Sequence, residues 1–243
     1  MIKIENVEVL GWEHAIRGMR NPKNSWKKSD SDYRPIICST CDTCETMERG
    51  TWEDCDGCEV SHLLDNSPDG FLVGPNDHKL MMSLAKGGPV HAKYRRMITV
   101  YLDITAPLYW WKEFDTYKIG VTANSCSTMH KIHAKEFTMD DFSCEHLINE
   151  RDYTWRAGFM DTVLNGLNSA REMFLKTKDK KYWWQMIQLL PTSYNQKRTI
   201  MLNYEVLHNM YISRKDHKLD EWREFCKWIE SLPYSEIITG EEN

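Results

Sequence analysis

The chain has 243 residues, 41% of them hydrophobic and ten of them Trp, which suits one large domain or two small ones with a sizeable core. The formal net charge of −5 argues against a nonspecific polyanion binder, so no nucleic-acid polymer is expected, while a small anion in a local basic pocket fits. No apolar run reaches the roughly 18 residues of a membrane helix, so no membrane partner is expected.

The first residues, "MIKIENVEVLGW", lack the basic start and apolar stretch of a signal peptide, so a cytoplasmic protein is expected. In that setting the eight Cys read as thiols or metal ligands rather than disulfides. Ile2 to Leu10 alternates apolar and polar residues and reads as a strand. "GWEHAIRGMR" reads as a short helix. Residues 21–75 are rich in Asp, Ser, Cys and Gly and read as an irregular insertion. "GPNDHKLMMSLAKGG" carries a Pro, a capping Asn or Asp and a closing Gly pair, the marks of a helix.

"MITVYLDIT" is the clearest strand, because β-branched and aromatic residues alternate along it. Pro107 then opens "LYWWKEFDTY", a helix with Leu108, Trp111, Phe114 and Asp115 on one face and Trp110 and Trp111 read as core. "FDTYKIGVTANSCSTMHK" follows as strand and loop. Residues 151–178 form a long amphipathic helix with Trp155, Phe159, Val163, Leu167, Ala170 and Phe174 at helical spacing. "YWWQMIQLL" is a shorter helix ending at Pro191, "KRTIML" a strand, and "YEVLHNMYISR" and "KLDEWREFCKWIESL" two more helices. No internal repeat and no second domain stand out, so a single domain over 1–243 is expected.

The insertion holds "CSTCDTCETMERGTWEDCDGC". Cys41, Cys44, Cys55 and Cys58 give C-x2-C-x10-C-x2-C, the paired-knuckle arrangement by which a tetrahedral zinc takes two thiolates from each of two turns. Cys38, Cys41 and Cys44 also match the first three ligands of an iron–sulfur run, without the usual Cys-Pro fourth ligand. A reduced loop without metal is the remaining reading.

The order of elements resembles the flavin-dependent thymidylate synthases, the ThyX-type enzymes. Their pattern is a strand ending in Ala-Pro, an aromatic helix, and a signature of the form RHRxxSxNxxSxRY. Here Ala106-Pro107 precedes "LYWWKEF". Asn124 and Ser127 then fit the N and S of the signature core, with Thr122 at its first Ser. With one residue inserted after it, the RHR triplet falls on Thr116, Tyr117 and Lys118, and the closing Arg-Tyr falls on Met129 and His130. A second block, "LLPTSYNQKRTIMLNYEVLHNMYISR", keeps Asn203, Leu207, Asn209 and Arg214 at the spacing of the family's NxRxLxxFxxLR, with Glu205 in place of its Arg. His91, in "GGPVHAKYRRMITV", stands where a family His touches the flavin. "HAIRGMRNPKNSW" resembles the family's first helix.

The resemblance implies an α/β (α+β) fold, a mixed or antiparallel sheet flanked by helices. It implies methylation of dUMP or a related pyrimidine nucleotide at C5, with FAD, methylene-tetrahydrofolate and NADPH, in a homotetramer with active sites between subunits. Lys118, Asn124, Ser127 and Arg214 are the expected nucleotide contacts, and His91, Asn203 and Asn209 the expected cofactor contacts. No side-chain nucleophile is required, because the flavin carries the chemistry; the rival reading is a nucleophilic Cys126, for which Lys131 and His130 are the nearby activators in sequence. With Thr116 and Tyr117 in place of Arg and His, a rigid two-donor fork for phosphate is lost, which implies weaker binding of flavin than of nucleotide. A flavin-independent pyrimidine-nucleotide hydroxymethylase and a non-catalytic nucleotide-binding relative are the alternatives. Trp183, Trp184, Trp222 and Trp228 suit either a subunit interface or the core.

Overall fold

The computed structural model describes residues 2–33, 71–147 and 153–240. Strand β1 (Lys3–Leu10) leads into helix α1 (Trp12–Arg20). Two-residue strands β2 (Asp32–Tyr33) and β3 (Phe71–Leu72) precede α2 (Pro75–Lys86). Then come β4 (Thr99–Pro107), α3 (Leu108–Phe114) and β5 (Thr122–Ser125). The long α4 (Tyr153–Thr177) and α5 (Lys180–Leu189) are followed by β6 (Asn195–Asn203), α6 (Tyr204–Arg214), α7 (Asp220–Glu230) and the short α8 (Glu236–Thr239).

The main sheet has the order β1-β4-β6-β5, every pair antiparallel. Side chains alternate between faces, so Val100, Leu102, Ile104, Ile200 and Leu202 are buried under the helices. On the opposite face Asp103 accepts from Thr199 Oγ1 at 2.6 Å and from Asn6 Nδ2 at 2.9 Å, and pairs with Lys197 at 3.0 Å. Asn6 reaches Asp103 from a bulge in β1, where its φ is 53°. The sheet and its flanking helices match the expected fold class.

Trp110 and Trp111 are buried against Phe114, as a core reading requires. Asp115 departs from the expected buried face: it is exposed and bonds Arg198. Trp222, open to either reading from sequence, is wholly buried beside Trp110 and Phe225. It therefore takes no part in a subunit interface. The heptad-like spacing of Trp222, Phe225, Cys226 and Ile229 turns one face of α7 inward.

A second, smaller apolar cluster lies beside β5 and β6. Here the α4–α5 hairpin packs on the segment after β5 through Ile132, Phe137, Phe142, Met160, Leu167 and Met186. The apolar stripe of α4 runs through Met160 rather than Phe159, which is 58% exposed. One residue's shift turns a side chain by about 100° on a helix.

The stretch expected to be irregular from 21 to 75 has ordered ends. Asp77, fully buried, accepts from Arg20 Nε at 2.6 Å, Ser29 Oγ at 2.6 Å and Ser31 Oγ at 2.7 Å. The expected local cap of α2 is also replaced. Neither Asn76 nor Asp77 caps the helix; Asp30 accepts from both their backbone amides, at 2.9 and 3.1 Å. Asp77 is held by its bond to Arg20, so a carboxylate from the far side of the loop satisfies the open helix donors. Cys38, Cys41, Cys44, Cys55 and Cys58 lie outside the described residues. Among those described, no group of His, Cys, Asp and Glu is placed to hold a metal ion, and no helix is long and apolar enough to cross a membrane.

Candidate functional site

The loop after α3 is fixed at both ends of α6. At the C-terminal end, Arg214 Nε donates to the Tyr117 hydroxyl at 3.0 Å, and its Nη1 pairs with Glu113 Oε2 at 2.6 Å. The guanidinium carbon lies 4.8 Å from the Trp222 ring centre, an attractive cation–π geometry. The same Glu113 oxygen accepts from Trp222 Nε1 at 3.1 Å and lies 3.3 Å from His217 Nε2. His217 Nδ1 accepts from the Leu219 amide, which leaves Nε2 to carry a hydrogen toward Glu113. At the other end, Asn203 caps α6 by accepting from the Val206 amide at 3.1 Å. Its amide nitrogen would lie 3.1 Å from a Cβ at Gly120, whose φ of +78° favours glycine in any case.

Arg198, a residue that the sequence reading passed over inside its strand, forms a second node. Its guanidinium lies 4.1 Å from the Trp111 ring centre, pairs with Asp115 at 2.7 Å and donates to Gln196 Oε1 at 3.0 Å. It stands beside Lys197 at the polar start of β6, on the same register row as Ser125. Both arginines next to the loop are therefore paired with carboxylates of this chain.

Beyond β5 the loop is pinned again. The Cys126 amide donates to Lys197 O at 2.9 Å, and Gln196 Nε2 donates to Cys126 O at 2.7 Å. Ser127 Oγ accepts from the Met129 and His130 amides at 3.1 and 2.9 Å and faces His130 Nδ1 at 2.9 Å. It thus caps its own turn, the local use that Ser often takes. Trp183 Nε1 donates to Met129 O at 2.9 Å and ties the turn to α5.

The expected contacts separate into two groups. Arg214 and Asn203 touch the loop from the two ends of α6, while Asn124 is exposed on β5 opposite Thr199. Lys118 is exposed and makes no ion pair among the described residues. Asn209 is exposed midway along α6, and His91 is exposed with its ring over Gly87. Glu205, whose charge opposes a phosphate, is 6% exposed and turned inward, with its Oε2 3.5 Å from Arg95 Nη1.

Next to the turn lies a cavity of about 290 Å³. It is lined by Phe137, Ile132 and Tyr194 together with Cys126, Ser127, Lys131 and Lys135. Burial pushes the Tyr194 hydroxyl's pKa up, helped by the nearby Asp141 and Cys126, so Tyr194 keeps its proton at neutral pH. Lys135 is paired with Asp141. A cavity of this size, apolar with a few polar groups, is the usual form of a small-molecule site.

No protein-family model matches the chain, and no curated protein matches it in sequence. Solved structures do match it in fold. One is Thymidylate Synthase X (ThyX) from Helicobacter pylori with FAD and dUMP, at a TM-score of 0.60 and 14% identity, covering 98% of this chain and 96% of that one. Another, flavin-dependent thymidylate synthase ThyX from Helicobacter pylori complexed with FAD and dUMP, has a TM-score of 0.58 and 15% identity, covering 96% of each chain. The likeness is one of fold.

Proposed function

We propose that this chain is a pyrimidine-nucleotide enzyme of the thymidylate-synthase kind, acting at C5 of dUMP or a related nucleotide. The observation that supports it is the fold match over nearly the whole chain to structures holding FAD and dUMP, together with the cavity beside the signature stretch. Residues 116–131 form one wall of the nucleotide site in this reading. Lys118 and Asn124 face solvent and are free to contact a ligand. Ser127 holds the wall's turn, and Arg214 holds Tyr117 in place. A direct bond from Arg214 to a phosphate falls to its Nη2, because Nε and Nη1 are taken by Tyr117 and Glu113.

The residues present do not reproduce a flavin site. At the positions of the RHR triplet, the Thr116 hydroxyl donates to Glu113 O at 2.7 Å and Tyr117 is engaged by Arg214. Neither offers a guanidinium to a pyrophosphate. Asn203 spends its carbonyl oxygen on the cap of α6. FAD enters through the resemblance and through the fold neighbours that hold it, methylene-tetrahydrofolate and NADPH through the resemblance alone, and no hydride step is derived for this chain. The Tyr117–Arg214 bond favours a second reading, in which nucleotide is bound without flavin, either by a hydroxymethylase or by a non-catalytic relative.

What this chain's own groups supply is orientation. Aromatic and apolar side chains hold a ring out of water, and a lysine neutralises an anion. Hydrogen bonds on either side of Cys126 keep the wall from moving as ligand binds. A homotetramer is part of the proposal. The exposed Phe159, Trp184 and Leu189 on the α4–α5 hairpin offer apolar surface for it. Light scattering that reports a monomer at micromolar concentration removes the shared-site arrangement.

Calorimetric titrations with dUMP and with FAD test the reading. The expected result is dUMP binding with weaker FAD binding and a colourless purified protein. Tight FAD binding without dUMP binding overturns it. A yellow protein that binds both restores the flavin-dependent reaction.

A further inference from the structure

We propose that Lys131, in the lining of the cavity that it shares with Phe137 and Tyr194, is the residue that holds the anionic group of the ligand, whose ring lies against those two aromatic side chains. This rests on the nucleotide reading above and names the anion contact within it.

Most cations near the loop already have a partner. Arg214 is committed to Glu113, Arg198 to Asp115, Lys197 to Asp103 and Glu5, and Lys135 to Asp141. An anionic ligand gains less from a cation already neutralised at contact distance, because it competes with the carboxylate already there. Lys118 and Lys131 are the loop lysines without an ion pair among the described residues. Of the two, Lys131 lines the cavity.

The cavity's other features agree with a single-ring ligand. Its volume of about 290 Å³ is at the small end for ligand pockets, enough for one heteroaromatic ring and its substituent and too little to enclose a dinucleotide. Phe137 and Tyr194 meet edge to face, with ring centres 6.3 Å apart, and supply aromatic lining. The loop that carries Lys131 is anchored before it by Cys126 and Met129 and after it by the buried Ile132. A lysine on a fixed backbone loses less freedom on binding than one on a mobile loop. Cys126, an exposed free thiol in the same lining, reports occupancy of the cavity.

The test is calorimetry with dUMP and deoxyuridine on wild type, Lys131→Gln and, as a comparator, Lys118→Gln. Circular dichroism checks that each variant folds; Lys131 is exposed, so Gln is accommodated. Lys131→Gln is expected to weaken dUMP binding about 10-fold or more, the worth of a charge-assisted contact, and to leave deoxyuridine binding unchanged. Lys118→Gln is expected to do less. Bound dUMP should also slow alkylation of Cys126 by iodoacetamide, read at the peptide level by mass spectrometry. Wild-type affinity in Lys131→Gln, or unprotected Cys126 in the presence of saturating dUMP, overturns the Lys131 assignment and leaves the nucleotide reading standing. No dUMP binding by wild type overturns both.

Discussion

Arg214 and Glu113 join the end of α6 to the end of α3 through a 2.6 Å ion pair. The pair is partly exposed, at 19% and 35% of the two side chains, but Trp222 and His217 share the same carboxylate oxygen. Arg214→Ala is expected to cost about 1–2 kcal/mol of stability, since it removes a charge-assisted bond and a stacked cation. Glu113→Gln acts on the same cluster. The double variant should therefore lose less than the sum of the singles, by at least about 0.5 kcal/mol. Urea unfolding of the four proteins measures the coupling, and strict additivity contradicts it.

Asp77 is the acceptor at the centre of a buried cluster. Burial alone pushes its pKa up, but bonds from Ser29, Ser31 and Arg20 outweigh it and the net shift is downward. Asp77→Ala leaves Arg20, 5% exposed, as an unpaired buried charge. The expected loss is about 3–5 kcal/mol. Replacing both, as Arg20→Met with Asp77→Leu, should cost less than Asp77→Ala alone. Equal stability of Asp77→Ala and wild type in chemical unfolding contradicts the buried-charge account.

On the solvent face of the sheet, Asp103 has its pKa lowered to about 2, chiefly by the Thr199 hydroxyl, then by Asn6 and Lys197. A folded value below the unfolded one, about 3.9, means that the stabilisation is complete above pH about 4. It is lost as pH falls through about 2. Wild type should therefore lose more stability than Asp103→Asn across that window, and the two should differ by a constant amount from pH 5 to 7. Thermal melts at stepped pH decide it; parallel curves down to pH 2 contradict the assignment.

The paired CxxC spacing of Cys41, Cys44, Cys55 and Cys58 predicts about one zinc per chain. Cys55→Ser should lose the metal while the far-ultraviolet dichroism stays that of wild type, because the Asp77 cluster does not depend on it. Elemental analysis of protein prepared without chelator checks the first part. Zinc-free wild type removes the site.

The strands and helices were readable because their periods are local. Alternation marks β4, and the spacing of Trp222, Phe225, Cys226 and Ile229 fits the inner face of α7, although Trp222 by itself also suited a subunit interface. What sequence leaves open is who meets whom. Glu205 is turned inward opposite Arg95, a residue 110 positions earlier. Arg198 lies against Trp111 because β6 pairs with β4 and the chain returns over the strand end. The cap of α2 comes from Asp30, across the Cys-rich stretch. Ser127 is the opposite case: its bonds to Met129 and His130 span only two and three residues, the local use of a Ser in a turn.

The register of β2 and β3 has one more consequence. Asp32 pairs with Leu72 and Tyr33 with Phe71, the latter rings 5.0 Å apart. The chain thus departs and returns at adjacent points. A variant in which a two-residue turn replaces 34–70 would link the same strand ends, and dUMP binding by that variant and by wild type measures what the Cys-rich stretch contributes.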